Sequence, residues 1–189
     1  MNNTVHIKNM VCPRCILAIE SIFLKLEIPI QSIKLGEVVI NEPLTSDQLQ
    51  SLKVKLKDLG FALLESDKSV TTSKIKALII KKLHYSSDIL KVNFSDFLAE
   101  SLDHDYSYLS RLFSNMEDIT IERFIVKQKI ERIKELLFYD EKTLTEIAFD
   151  MNYSSVSYLS TQFKKETGMT PTEYKMSKSP NLKPLDNLD

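Results

Sequence analysis

The 189-residue sequence is expected to fold as a small α+β unit of βαββαβ order followed by an all-helical unit, in which two helix-turn-helix copies are joined by one long helix. Three observations carry this expectation. Residues 4–65 alternate between the two-residue period of strands and the 3.6-residue period of helices, whereas everything after residue 73 follows the helical period alone. The stretch Ser-Tyr-Leu-Ser-Arg-Leu-Phe at 107–113 returns as Ser-Tyr-Leu-Ser-Thr-Gln-Phe at 157–163, with five of seven residues the same at an offset of 50. Between the two blocks, 66–73 is polar and aperiodic, so the expected layout is a first domain at 1–66, a linker at 67–73, a helical domain at 74–176 and a flexible tail at 177–189.

The first block reads in order. Val5 and Ile7 alternate with polar neighbours in a strand near 4–10. Ile16, Ile19, Phe23 and Leu26 then recur at helical spacing, and Pro13 suits a first turn, where a missing N–H costs nothing. Two short strands flank a turn at Gly36. A second helix starts at a capping box of Thr45 and Gln48, shows a stripe of Leu49, Leu52 and Leu56, and stops at Gly60. The segment 61–66 closes the unit as a strand.

In the second block, helices are expected at 73–85, 93–102 (capped by Asn93), 105–116 and 120–139, the last with Val126, Ile130, Ile133 and Leu137 as its apolar stripe. Thr143 with Glu146 forms a second capping box, Gly168 stops the helix after it, and Thr170, Pro171 and Glu173 open a final one.

Composition sets limits. The chain is 43% hydrophobic and 27% charged, as folded soluble domains are. No apolar run approaches the roughly 18 residues of a membrane span, and the N-terminus lacks a basic flank followed by an apolar stretch. A cytoplasmic protein without a membrane partner is therefore expected. The net charge is −1 and neither block has a basic excess, so any nucleic-acid binding must rest on the local placement of charge.

The repeat extends beyond its seven residues. Leu98-Ala99 aligns with Ile147-Ala148, Ile119-Thr120 with Met169-Thr170, and Phe124 with Tyr174. Each copy thus reads as a short helix, a tight turn and a second helix. Ala99 and Ala148 are small enough for a close helix crossing. Leu109, Phe113, Leu159 and Phe163 would anchor the second helices, leaving Ser107, Ser110, Arg111, Ser157, Ser160 and Thr161 on a free polar face that fits a DNA major groove. A plain helical bundle is the competing reading. The joining helix favours the DNA reading: about 20 residues span roughly 30 Å at 1.5 Å per residue, close to the roughly 34 Å between successive major-groove faces.

Residues 144–174 carry Ile147-Ala148, Tyr153, Ser155, Leu159, Phe163-Lys164, Gly168, Pro171 and Tyr174. This pattern resembles the signature of AraC/XylS-type bacterial transcription regulators, over about residues 74–176. The resemblance implies sequence-specific binding of double-stranded DNA, with RNA polymerase and a homodimer as further expected partners, and no enzymatic activity. Asn152-Tyr153 replaces the usual Gly-Phe of the second turn; asparagine tolerates left-handed backbone. Arg111 is the main candidate for base readout, through guanine O6 and N7, with an ion pair to Glu117 or Asp118 as the alternative. Ser155 and Lys164 join the DNA-binding candidates, and Lys127, Lys129 and Lys165 are weaker phosphate candidates. One of Asp103 and Asp105 is expected to cap the first recognition helix. Tyr108 and Tyr158 are assigned to packing, and His6, His84 and His104 to no metal or catalytic role.

Cys12 and Cys15, the two cysteines of the chain, stand in Met-Val-Cys-Pro-Arg-Cys at the end of the first expected strand. Soft thiolates favour Cu(I) and Zn, and a helix N-terminus beside Arg14 should lower their pKa values. With its βαββαβ order, the unit is similar to the heavy-metal-associated, ferredoxin-like domain of copper chaperones. That resemblance implies Cu(I) or another soft metal ion at Cys12 and Cys15, with Met10 in the core. Three readings stay open: soft-metal sensing or delivery, thiol redox chemistry, and a retained fold with idle cysteines. The rival to a metal-responsive regulator is a metallochaperone or thiol-redox protein whose helical domain binds a protein.

Overall fold

The computed structural model describes residues 3–86, 92–177 and 182–185, and the chain divides into two units between Leu78 and Ile79. The first unit runs β1 (Thr4–Lys8), α1 (Pro13–Lys25), β2 (Ile30–Lys34), β3 (Glu37–Ile40), α2 (Ser46–Asp58) and β4 (Ala62–Leu63). Its four strands lie in the order β2-β3-β1-β4, each neighbouring pair antiparallel, with Val5 opposite Val38 and Ile7 opposite Leu63. Pro13 opens α1 as its spacing predicts, and the Thr45–Gln48 capping box is formed in both directions. Gly36 takes φ +81° in the turn between β2 and β3, a conformation that a side chain would strain.

The core of this unit is built from Ile7, Met10, Ile19, Phe23, Val38 and Leu52, all 2% exposed or less. Two expectations need adjustment. Leu49 is exposed, so the α2 stripe narrows to Leu52 and Leu56. The closing strand pairs with β1 only over Ala62 and Leu63.

Residues 67–73, expected to be a linker without regular structure, form the first half of helix α3 (Asp67–Ile80). Ser66 stands just before its first turn, where its hydroxyl accepts from the Ser69 amide. That polar stretch is therefore a helix start, not an aperiodic connection. Past Ile80 the expected helix widens into a π-helical turn, Lys81–Tyr85.

The second unit continues with α4 (Phe94–Leu102), α5 (Tyr106–Glu117), α6 (Ile121–Tyr139), α7 (Leu144–Asp150), α8 (Val156–Thr167) and α9 (Pro171–Ser177). Asn93, Thr120, Thr143 and Ser155 each accept a backbone N–H at the N-cap of α4, α6, α7 and α8. Thr170 and Glu173 exchange hydrogen bonds at the start of α9. Ile130, Ile133 and Leu137 on α6 meet Ile147, Leu159 and Phe163 in one core cluster, with Val126 packed at its margin. Helix α6 also buries an ion pair, Lys134 Nζ to Glu131 Oε1 at 2.6 Å.

The tail expected at 177–189 lies outside the described residues at 178–181 and 186–189. Its described part is held by hydrogen bonds: the Lys183 amide donates to Glu131 Oε2 (3.0 Å), and the Leu185 carbonyl accepts from Gln128 Nε2 (2.8 Å). Among the described residues, no helix is long and apolar enough to cross a membrane.

Candidate nucleic-acid interface

The internal repeat is a structural repeat. Helices α4 and α5 form one helix-turn-helix, α7 and α8 the other. The turn residues Asp103 and Asn152 both take φ +53°, so asparagine does adopt the left-handed conformation that the second turn needs. The C-caps of the second helices, Asp118 (φ +56°) and Gly168 (φ +83°), match again. Beyond them, Phe113 packs on Phe124 with ring centroids 5.6 Å apart, and Phe163 on Tyr174 at 5.5 Å. Leu109, Phe113, Leu159 and Phe163 are fully buried. Ala148 is buried, while Ala99 is only partly so.

Seating α5 and α8 by these anchors turns their other faces outward. Ser107, Arg111, Ser157, Thr161 and Lys164 are exposed, and Ser110 and Ser160 are partly buried. Arg111 makes no ion pair among the described residues; its Nε donates to the Ser107 carbonyl at 3.3 Å and its guanidinium edge is otherwise available. Thr161 Oγ1 donates to the Ser157 carbonyl at 3.0 Å, so this hydroxyl is spent on its own helix. Ser155 is exposed, but its Oγ accepts from the Tyr158 amide (3.1 Å) as the N-cap of α8; it holds the helix start.

Several residue-level expectations are corrected. Asp105 occupies the N-cap position of α5, yet its carboxylate caps nothing, and only its backbone carbonyl accepts from Tyr108 and Leu109. Asp103 ends α4 instead. Neither carboxylate therefore caps the recognition helix. Lys129 lies over the ring of Tyr153, 4.9 Å from its centroid, and burial lowers its pKa, so it is a packed cation and a poor phosphate contact. Tyr108 and Tyr158 do not pack inward: they are 41% and 55% exposed, on the same flank as the polar residues.

The side chain of His84 is buried, which favours its neutral form. Desolvation foremost, then the charge of Arg132, push its pKa down to about 4, against Glu135 at 3.9 Å and a hydrogen bond to Gln128 Oε1 (3.0 Å). Among the described residues, no cluster of three or more His, Cys, Asp or Glu side chains could hold a metal.

In the first unit, Cys12 is the N-cap residue of α1 and Cys15 lies in its first turn, with their sulfurs 3.0 Å apart and both half-buried. Cys15 Sγ also faces the Asn9 carbonyl at 3.8 Å. Burial first, and the hydrogen bond with Cys12 second, push the Cys15 thiol up. The expected lowering by the helix start and Arg14 is therefore reversed at Cys15, where desolvation of a thiolate outweighs the pull of the backbone amides.

Residues 98–177 match the helix-turn-helix domain family. Over 80 residues the chain is 34% identical to an uncharacterised HTH-type transcriptional regulator in the cgkA 5′ region of Pseudoalteromonas carrageenovora, covering 42% of this chain and 47% of that protein. Over 104 residues it is 32% identical to the xylose operon regulatory protein of Haemophilus influenzae, covering 53% and 26%. The chain thus spans less than half the length of either protein. A crystal structure of an AraC-type transcriptional regulator from Chromobacterium violaceum shares the fold over 61% of this chain and 97% of its own, with a TM-score of 0.50 at 16% identity. The C-terminal part of this chain is a helix-turn-helix domain.

Proposed function

We propose that the protein is a sequence-specific, double-stranded-DNA-binding transcription regulator without enzymatic activity. The observation that carries this reading is the pair of outward polar faces on α5 and α8, seated by equivalent aromatic anchors and equivalent left-handed turns. The recognition residues in this reading are Ser107, Ser110 and Arg111 on α5, and Ser157, Ser160, Thr161 and Lys164 on α8, with Ser155 as a capping residue at the rim. Arg111 supplies the strongest base contact, because a guanidinium can reach guanine O6 and N7 together. RNA polymerase and a second copy of the chain are its protein partners. Selection from a random duplex pool tests the reading: wild type enriches a defined motif, and Arg111→Ala loses one position of it. Equal retention of all duplexes would defeat it.

The first unit, in the same reading, is a ferredoxin-like, heavy-metal-associated module that senses a soft ion such as Cu(I). Its support is the donor chemistry. Two soft sulfurs, with no further His, Cys, Asp or Glu grouped with them among the described residues, suit a low-coordinate soft ion and not a closed four-ligand zinc site. Cys12 and Cys15 would hold the ion as thiolates, so both sulfurs, now in contact at 3.0 Å, would have to give up their protons. When bound, the ion would tie the β1–α1 turn to the first turn of α1. Cu(I) competition titrations of wild type against Cys12→Ser/Cys15→Ser, with DNA affinity read in parallel, test this part separately. Equal Cu(I) affinity in the two proteins would remove it.

A further inference from the structure

Tyr108 and Tyr158 occupy the same place in the two recognition helices, third from the start and 50 residues apart. Each exposes a large ring on a face that is otherwise polar, being 41% and 55% accessible. Each also has a ring of the preceding turn beside it: His104 lies 5.2 Å from Tyr108 and Tyr153 lies 5.8 Å from Tyr158, centroid to centroid. Tyr153 is itself fixed, because its hydroxyl donates to Gln162 Oε1 (2.6 Å) and Lys129 covers its ring. A ring fixed in this way pays little entropy when a ligand covers it.

Their neighbours indicate what that ligand is. Tyr108 stands three residues before Arg111, and Tyr158 three before Thr161, so each shares a helix flank with a base-reading position. On α8 the Thr161 hydroxyl proton is donated to the Ser157 carbonyl and Ser155 serves the helix cap, so the exposed ring of Tyr158 stands among fewer free donors than that of Tyr108 beside Arg111. In the major groove the apolar feature that a ring can recognise is the 5-methyl group of thymine.

We infer that Tyr108 and Tyr158 are a matched pair of specificity-determining residues, each pressing its ring on a thymine methyl, one in each of two successive major-groove segments. This rests on the DNA-binding reading above. The phenol hydroxyl on a phosphate is the competing contact and would carry no sequence information.

The test uses the full chain and the duplex it enriches, with each thymine replaced in turn by deoxyuridine, which removes only the methyl. Wild type should lose roughly fourfold in affinity at one thymine in each half-site, the worth of about one buried methyl. Tyr108→Ala should lose its sensitivity at one of these positions and Tyr158→Ala at the other, while Tyr108→Phe and Tyr158→Phe keep both. Thermal melts confirm that the alanine variants fold, and the phenylalanine variants hold the test if they do not. Uniform tolerance of deoxyuridine, or sensitivity that persists in the alanine variants, would overturn the inference. So would phenylalanine variants that weaken all duplexes equally, since that marks a phosphate contact. Failure to enrich any duplex would defeat the DNA-binding reading itself and this inference with it.

Discussion

Arg111, Ser155 and His84 separate three kinds of residue that a sequence shows side by side. Arg111 is exposed and without an ion pair among the described residues, so its replacement should cost recognition and not stability. Arg111→Ala is expected to lose about 1–3 kcal/mol on a duplex with guanine at the contacted position and much less on one without it, as anisotropy titrations would show. Ser155 is the opposite case. Its hydroxyl caps α8, so Ser155→Ala should lower unfolding stability by about 1 kcal/mol in thermal or urea melts, with DNA affinity lost only through the unfolded fraction. His84 matters through pH. Its folded-state pKa of about 4 lies below the ordinary 6.5, so below pH 6.5 the unfolded chain takes up a proton that the folded chain refuses. Stability is fully present above pH 6.5 and falls progressively as pH drops to about 4, by a few kcal/mol at most; melts at pH 7, 5.5 and 4.5 should show this, and His84→Gln should flatten the profile.

Turns and caps decide how the elements meet. Asn152 and Asp103 sustain the tight turns at φ +53°, a conformation that β-branched residues resist. Asn152→Val should therefore destabilise the second unit by roughly 1–2 kcal/mol, and Asn152→Gly should leave it unchanged or slightly more stable, again read from melts. Much of this level was legible in the sequence. The capping boxes at Thr45 and Thr143, the stop at Gly168 and the anchors Leu109, Phe113, Leu159 and Phe163 each follow from local chemistry or from the repeat. What escaped depends on tertiary surroundings. The serine- and threonine-rich stretch 66–73 has the composition of a loop, yet Ser66 opens a helix there. Lys129 reads as a surface cation until Tyr153 is seen beneath it. Tyr108 and Tyr158 are expected to pack, yet their rings stand exposed. The repeat held the contrary signal, since both stand three residues from the polar positions Arg111 and Thr161. For Cys15, helix position and a nearby arginine give one sign of pKa shift, and the degree of burial, invisible in sequence, gives the other.

For the whole molecule, charge sets the terms of DNA binding. With a net charge of −1 there is no global attraction to phosphate, and the two helix-turn-helix copies differ. Residues 94–118 hold six carboxylates and one cation, Arg111, whereas 144–168 hold three carboxylates and two lysines, Lys164 and Lys165. Phosphate contacts should therefore be few and weighted toward α8. The logarithm of affinity against the logarithm of salt concentration is expected to fall with a slope of only about −3 to −4, and Lys164→Ala should reduce it by about 1. Helix α6, with 19 residues, spans roughly 28 Å and so falls somewhat short of the roughly 34 Å between successive major-groove faces. Hydroxyl-radical footprinting of the full chain on its enriched duplex tests this account most directly. It predicts two protected patches on one face of the DNA, centred about one helical turn apart, the first weakened in Arg111→Ala and the second unchanged; a single patch, or two on opposite faces, would contradict it.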